Sequence, residues 1–209
     1  MEKYIQDIKN FYDKKFNAFG PNPKGLDWND LNAQENRLNN IIKCISKKNN
    51  LKINDFGCGY GHLIEILNQN NFIKYHYVGY DISNTMITFS QEKYKKYKNI
   101  AFINGDILAL KEADYTIASG VFNKIFMSNK KKWEDYLFSS IEEMYKKSEI
   151  GIVCNFLTDK ADKSYKRSDL YYASPESIIK FSAKLSKYFC LHHDYGAYDF
   201  LIKINKRID

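Results

Sequence analysis

Three glycines at alternate positions follow an acidic residue near the end of a short apolar segment, residues 51–56 (LKINDF). The acid is Asp55, and the glycines are Gly57, Gly59 and Gly61. Glycine has no Cβ, so a turn of this kind can bring backbone N–H groups close to a ligand. Residues 62–69 have the apolar spacing of a helix, whose N-terminal end carries partial positive charge. A strand, a glycine turn and a helix N-terminus together predict a cofactor site.

A second acidic residue narrows the choice of cofactor. In the dinucleotide fingerprint G-x-G-x-x-G, counted from Gly57, the third glycine would fall on His62, so that pattern is not met. Asp81 follows the next apolar segment, residues 75–80, and lies 20 residues after Gly61. A carboxylate there can accept hydrogen bonds from both hydroxyls of a ribose. These residues resemble the first two motifs of the class I S-adenosylmethionine (SAM) methyltransferases; the alternative is a glycine-rich turn of another α/β protein.

The resemblance implies a set of SAM-binding residues at the strand ends. Asp106, after the third strand, would reach the adenine amine, while Ile82 and Ile107 would flank the ring. Ser119 and Gly120, after the fourth strand, would lie beneath the methionine part of SAM. The implied contacts are Asp55, Gly57, Cys58, Gly59, Gly61, Asp81, Ile82, Asp106, Ile107, Ser119 and Gly120. For Asp106 the alternative is a cap of the turn that follows it.

Two residues before the first strand are assigned to the site on chemical grounds. Arg37 can bind a carboxylate through two parallel hydrogen bonds, so we expect it to hold the carboxylate of SAM. A surface ion pair is the alternative for Arg37. Trp28 is either an anchor of the core or a residue of the lid over the site.

The acceptor site is less well defined by the sequence. Three segments, FG with LDW within 19–28, SGVFN at 119–123 and HDYGAYDF at 193–200, resemble a small-molecule subgroup of these methyltransferases. Members of that subgroup occur beside genes of surface-polysaccharide, phosphonate or related metabolism. We expect the acceptor to be bound by aromatic and polar residues, namely Trp28, Phe122, Asn123, Tyr171, Tyr172 and Tyr195.

Methyl transfer from SAM is an in-line displacement at a sulfonium carbon, so the enzyme mainly aligns the nucleophile. A hydroxyl acceptor also needs a base, whereas a phosphate or carboxylate acceptor does not. His193 is the candidate base, and a purely structural histidine is the alternative. The sequence thus predicts O-methylation of a small polar acceptor that could be anionic or sugar-linked. The rival functions are N-methylation, a non-catalytic SAM-binding module and a nucleic-acid methyltransferase.

The apolar patterns predict the elements that position these residues. Strands at 51–56, 75–80, 100–104, 113–118 and 149–156 alternate with helices at 62–70, 83–97 and 130–147. A helix starting at Ser174-Pro175 and strands at 188–192 and 198–204 complete the chain. The prediction is a doubly wound α/β fold: a seven-stranded, mostly parallel sheet with helices on both faces and an antiparallel last strand.

The same patterns predict one domain over residues 1–209. Helices at 1–17 and 31–47 would form an N-terminal helical lid, residues 1–48, over a Rossmann-like core, residues 49–209. The polar loop 158–168 is predicted to be mobile and to close over the acceptor.

Composition bounds the partners and the compartment. The chain of 209 residues, 44% of them hydrophobic, suits one globular domain. Its net charge of +7 comes from lysines spread through the predicted helices, which indicates a solvated surface and makes a nucleic-acid partner a poor candidate. No apolar run approaches the ~20 residues of a membrane span, and the N-terminus lacks the pattern of a signal peptide. The four cysteines are widely spaced, so we expect a cytoplasmic protein with reduced thiols and no bound metal.

Overall fold

The structure is a computed structural model that describes residues 2–46, 49–126 and 129–207. Within these ranges the helices are α1 (Glu2–Phe19), α2 (Leu31–Lys43), α3 (Leu63–Gln69), α4 (Asn84–Tyr94), α5 (Lys130–Lys146) and α6 (Pro175–Leu185). The strands are β1 (Leu51–Phe56), β2 (Tyr75–Asp81), β3 (Ile100–Asn104), β4 (Ala113–Ala118), β5 (Ser148–Leu157), β6 (Tyr188–His192) and β7 (Asp199–Asn205). The predicted helix at 31–47 ends at Lys43, and residues 1, 47 and 48 of the predicted lid lie outside the described residues.

The seven strands form one sheet in the order β3-β2-β1-β4-β5-β7-β6. Strands β1 to β5 pair in parallel, and β7 runs antiparallel to both β5 and β6. The predicted fold class is therefore confirmed, including the antiparallel last strand. The strand order reverses between β1 and β4, and ligands of open α/β sheets bind outside the carboxyl ends of the strands at such a point.

Side chains alternate between the two faces of the sheet, so the strands contribute to two cores. On one face Ile53 and Tyr77 pack with residues of α2, α3 and α4, and on the other Phe56 and Phe156 pack with residues of α5 and α6. The buried apolar residues of α2 belong to the first of these cores: Leu38, Ile41 and Ile42. Helix α2 is therefore packed against one face of the sheet. The division of the chain into a lid and a core stays a prediction.

Capping side chains set the starts of several helices. Asp30 accepts a 2.7 Å hydrogen bond from the amide of Ala33 at the start of α2. Ser83 accepts one of 3.1 Å from Met86 at the start of α4. Ser174 caps α6, whose first residue is Pro175, as the sequence predicts. None of the described helices combines the length and the apolar content needed to cross a membrane.

The predicted loop 158–168 contains a short 3-10 helix, Lys163–Tyr165. The Tyr165 ring stacks on Tyr198 with centroids 4.8 Å apart, and the Tyr198 hydroxyl lies 3.1 Å from a carboxylate oxygen of Asp162. These contacts attach the loop to the start of β7. Its mobility stays a prediction.

Candidate active site

The glycine turn after β1 folds back on the end of β2. The amides of Gly57 and Cys58 donate to the carbonyl of Tyr80 at 2.8 and 3.1 Å. Gly59 has a φ of +53°, which an L side chain rarely adopts, and a Cβ there would lie 2.8 Å from Cδ2 of Leu26. The turn therefore needs glycine at position 59 for both its backbone conformation and its space.

Asp81 is tied directly to this turn. Its Oδ2 accepts a hydrogen bond of 2.9 Å from the amide of Gly59, and its Oδ1 accepts one of 2.9 Å from the amide of Ser83. Burial raises the pKa of this carboxyl, while the two amide donors oppose the rise. Each carboxylate oxygen keeps a further lone pair, so the group can still accept from the two hydroxyls of a ribose.

A first cavity, of about 820 Å³ including solvent at its mouth, lies beside Asp81. Six of the predicted cofactor residues line it: Gly57, Asp81, Ile82, Asp106, Ser119 and Gly120. Helices α1 and α5 close it with apolar and aromatic side chains, namely Ile5, Ile8, Tyr12, Trp133 and Tyr136.

Two polar residues of the first cavity differ in their state of hydrogen bonding. The Asp106 carboxylate accepts a 3.0 Å hydrogen bond from the amide of Leu108, so it caps the turn Ile107–Ala109 while it also lines the cavity. The Ser119 hydroxyl is buried and has no partner among the described residues. Buried polar groups are usually paired, so Ser119 fits a site that a polar ligand completes.

The other predicted cofactor residues do not appear in the wall of the first cavity: Asp55, Cys58, Gly59, Gly61, Ile107 and Arg37. Asp55 is buried and accepts a 2.6 Å hydrogen bond from the Tyr77 hydroxyl. Burial raises its pKa to about 7, against the effect of that hydrogen bond. Burial also raises the pKa of the Cys58 thiol, as expected of a packed cysteine rather than a nucleophile. Asp55 and Cys58 are therefore buried residues that stabilise the glycine turn from the side of the core and do not line the first cavity.

A second cavity, of about 560 Å³ including solvent, adjoins the first. The two share four lining residues: Tyr12, Leu26, Trp28 and Gly120. A Cβ at Gly120 would lie 2.6 Å from Cζ2 of Trp28, so the indole packs closely on the backbone after β4. Ligands in the two cavities would meet at this shared wall, as methyl transfer requires.

Charged side chains distinguish the second cavity. Arg37, Lys124 and Arg167 line it together with one carboxylate, Asp27. The Arg37 guanidinium lies 4.9 Å from the centre of the Trp28 ring and forms an ion pair with the buried Asp199. Arg37 therefore lies at the second cavity, and its predicted contact with the carboxylate of SAM stays a prediction.

Of the residues predicted to bind the acceptor, Trp28 and Asn123 line the second cavity. Phe122 is fully buried and stacks on Phe156 with centroids 5.6 Å apart, so it belongs to the core. Tyr171 is also buried, and its hydroxyl donates to Glu134 at 3.0 Å. The described walls of the two cavities include none of Phe122, Tyr171, Tyr172 and Tyr195.

The structure does not bring His193 to either cavity. The residue is exposed, and its ring packs against Phe200 with centroids 5.9 Å apart. It follows β6, at the outer edge of the sheet, two strand positions away from β5. A general base must reach the acceptor within hydrogen-bonding distance, so the geometry gives no support to that role.

Four residues with prominent positions in the site were not identified from the sequence: Tyr12, Asp27, Lys124 and Arg167. Tyr12 lies on the apolar stripe of α1 and reads as a packing residue. The basic and acidic residues come from distant parts of the chain and give no local pattern. Lys124 alone had a usable signal, because it directly follows the segment SGVFN at the carboxyl end of β4.

Comparisons with known proteins agree with this architecture. Residues 47–189 match a family model described as a methyltransferase domain. The chain is 34% identical over 166 residues to Rv1506c of Mycobacterium tuberculosis, a protein named as a methyltransferase, and the match covers 79% of this chain and 99% of that one.

Solved structures of low sequence identity share the fold. Magnesium protoporphyrin IX methyltransferase of Synechocystis, solved with S-adenosylhomocysteine (SAH), superposes with a TM-score of 0.65 at 14% identity over 98% of this chain and 100% of its own. Human N-acetylserotonin methyltransferase, solved with SAM, gives a TM-score of 0.63 at 14% identity over 84% and 52%. The [4+2]-cyclase SpnF gives 0.65 at 15% identity over 90% and 74%. The chain belongs to the class I SAM-dependent methyltransferases, and SAM is its cofactor.

Proposed function

We propose that the protein transfers the methyl group of SAM to an oxygen of a small polar acceptor in the second cavity. The observation that carries this proposal is the wall that the two cavities share, formed by Tyr12, Leu26, Trp28 and Gly120. SAM in the first cavity supplies an electrophilic methyl group. The protein residues align the acceptor, and the Trp28 indole, held against Gly120, is part of the boundary at which the two ligands would meet.

The charge of the second cavity favours an oxygen acceptor over an amine. An aliphatic amine is protonated near neutral pH, and three cationic side chains line this cavity against one carboxylate. That carboxylate, Asp27, is already paired with Lys15 at 2.8 Å and with Arg167 at 3.3 Å. An ammonium group would be repelled by like charges in partly buried surroundings, whereas a hydroxyl or an anion would not.

The remaining features of the proposal rest on the sequence. A sugar-linked or phosphonate-type acceptor and a cytoplasmic location are implied by the subgroup resemblance and by the spacing of the cysteines. A nucleic-acid methyltransferase would show an affinity for RNA or DNA that falls steeply with salt.

The test is an incubation of the purified protein with SAM that carries an isotope-labelled methyl group. The acceptor panel contains hydroxylated metabolites, primary amines, RNA and DNA, and products are assigned by NMR as O-methyl or N-methyl. We expect SAH release together with label on oxygen. Label on nitrogen or on nucleic acid would refute the proposal, and tight SAM binding with no product from any class would favour a non-catalytic SAM-binding module.

A further inference from the structure

We propose that the second cavity recognises its acceptor through an anionic oxygen group, a carboxylate or a phosphate, bound by Arg37, Lys124 and Arg167. This inference rests on the proposed function, since it names the class of acceptor for the same site. The three cations line one cavity, although they come from α2, from the loop after β4 and from the loop after β5.

Arg37 is held in a fixed position, and some of its guanidinium N–H groups remain free to bind a ligand. Its Nε pairs with the carboxylate of Asp199, whose side chain is 0% exposed, and its Nη1 donates to the carbonyl of Ala33 at 2.7 Å. The guanidinium also stacks over Trp28. Within the described residues Nη2 has no hydrogen-bond partner. Arginine has five N–H donors in a rigid plane, so a group fixed in this way can offer the remaining ones to a ligand at low entropic cost.

Arg167 is also held by carboxylates and keeps a free donor. Its Nε and Nη2 bind the two carboxylate oxygens of Asp169 at 3.0 and 2.6 Å, and Nη2 also approaches Asp27 at 3.3 Å. Nη1 has no partner in the part of the chain that the structure describes. Asp169 has its pKa held well below its usual range by Arg167 and Lys124, so it stays ionised and keeps the guanidinium oriented.

Lys124 supplies a third positive charge that is largely shielded from water. Its side chain is 11% exposed, and its ammonium pairs with Asp169 and lies 3.6 Å from Asp27 and 4.3 Å from the centre of the Phe11 ring. Because the group is partly desolvated, its attraction for an incoming anion is stronger than that of an exposed lysine.

The charges of this cluster do not cancel. The three cations of the cavity and the neighbouring Lys15 are joined by ion pairs to three carboxylates, Asp27, Asp169 and Asp199, which leaves one excess positive charge beside the cavity. An anionic acceptor would balance that charge and use the free guanidinium donors. A neutral acceptor would leave both unsatisfied, so the site selects for an anion.

The binding test uses SAH-loaded protein and two simple probes, inorganic phosphate and acetate, titrated separately by calorimetry at low ionic strength. We expect saturable binding of at least one probe, weakened about tenfold in Arg167→Gln and in Lys124→Gln, which corresponds to ~1.4 kcal/mol. Arg207→Gln is the matched control, since Arg207 is exposed and follows the far end of β7. SAH affinity and thermal unfolding verify that each variant is folded. If Lys124→Gln does not fold, Arg167→Gln decides, because its side chain is 47% exposed.

A turnover test separates this inference from the proposed function. Paired acceptors that differ in one anionic group, such as glycerol and glycerol phosphate or glucose and glucuronate, are compared for O-methyl product. Turnover of the anionic members alone supports both proposals. Equal turnover of the neutral members overturns the anion site and leaves the proposal of O-methylation intact. If the product is instead N-methylated, while phosphate binding is weakened in the variants, O-methylation is refuted and the anion site is supported. Absence of saturable probe binding, or equal binding in all variants, also overturns the anion site.

Discussion

The amide of Gly59 donates a 2.9 Å hydrogen bond to Oδ2 of Asp81, which joins the glycine turn after β1 to the acid at the end of β2. The two motifs are thus one unit, and the turn orients the carboxylate before any cofactor arrives. Such preorganisation lowers the entropic cost of binding. Because of this hydrogen bond, a substitution of either residue should also alter the position of the other.

Asp81→Ala should weaken SAM binding by ~1–3 kcal/mol, because hydrogen bonds to a charged group would be lost and the Gly59 amide would lose its acceptor. Isothermal calorimetry with SAM measures the change. Asp135→Ala is the control, since Asp135 is an exposed residue of α5 whose carboxylate pairs only with Lys131 among the described residues. Unchanged SAM affinity in a folded Asp81→Ala protein would contradict the assignment of Asp81 to the cofactor.

A comparison of two glycines separates backbone strain from loss of space. Gly59 and Gly20 have φ values of +53° and +71°, so alanine at either position should cost ~1–2 kcal/mol of stability. A Cβ at Gly59 would press on Leu26, which lines both cavities, whereas a Cβ at Gly20 would meet no atom within 4 Å. We therefore expect Gly59→Ala to lower SAM affinity and Gly20→Ala to leave it unchanged. Equal affinities in two comparably destabilised proteins would show that the turn tolerates a side chain.

Asp55 should make stability depend on pH. Its pKa in the folded protein is about 7, against an ordinary value near 4, so between these values the folded state holds a proton that the unfolded chain has lost. Stability contributed by this group is therefore highest in acid and falls as pH rises from about 4 to 7, by at most ~1.4 kcal/mol per pH unit.

Urea unfolding of the wild type and of Asp55→Asn at several pH values between 5 and 8 tests this expectation. Asparagine does not titrate, so the free energy of unfolding of the Asp55→Asn protein should fall less with rising pH than that of the wild type. Asp114→Asn is the matched control, because the Asp114 carboxylate accepts a 2.7 Å hydrogen bond from the backbone amide of Lys52, near the N-terminal ends of β4 and β1. Parallel pH curves for the wild type and Asp55→Asn would show that the Asp55 pKa is not raised.

The first cavity was largely predictable because parallel strands carry their carboxyl ends to one edge of the sheet. Asp81 ends β2, and Asp106 and Ser119 follow β3 and β4, yet strand order alone brings these residues to one wall. Phe122 shows where this reasoning ends. It lies two residues after Gly120, whose φ of +75° turns the chain, so the period of the strand no longer decides which way its ring points.

The second cavity was harder to predict for a related reason. Asp27 ends the 3-10 helix Pro23–Leu26, whereas Lys124 and Arg167 lie in the loops after β4 and β5. No periodicity connects such residues across the sequence. Ion pairs of Asp27 with Lys15 of α1, with Lys124 and with Arg167 join these segments in the folded protein. The positive net charge of the chain is compatible with an anion site, but it does not identify the residues that form one.

The last prediction concerns His193. The residue is exposed and lines neither cavity in the described part of the chain, so His193→Ala should keep kcat within about twofold of the wild type and leave SAM affinity unchanged. A general base, by contrast, contributes about 10²–10⁴-fold to the rate, and its removal would also flatten the dependence of kcat on pH. Profiles of kcat against pH for the wild type and His193→Ala, measured with an acceptor from the screen, distinguish the two outcomes. His76→Ala, which removes an exposed histidine of β2, is the control for a nonspecific effect. A large loss confined to His193→Ala, with a flattened pH profile, would mean that β6 and the segment after it move toward the acceptor during turnover.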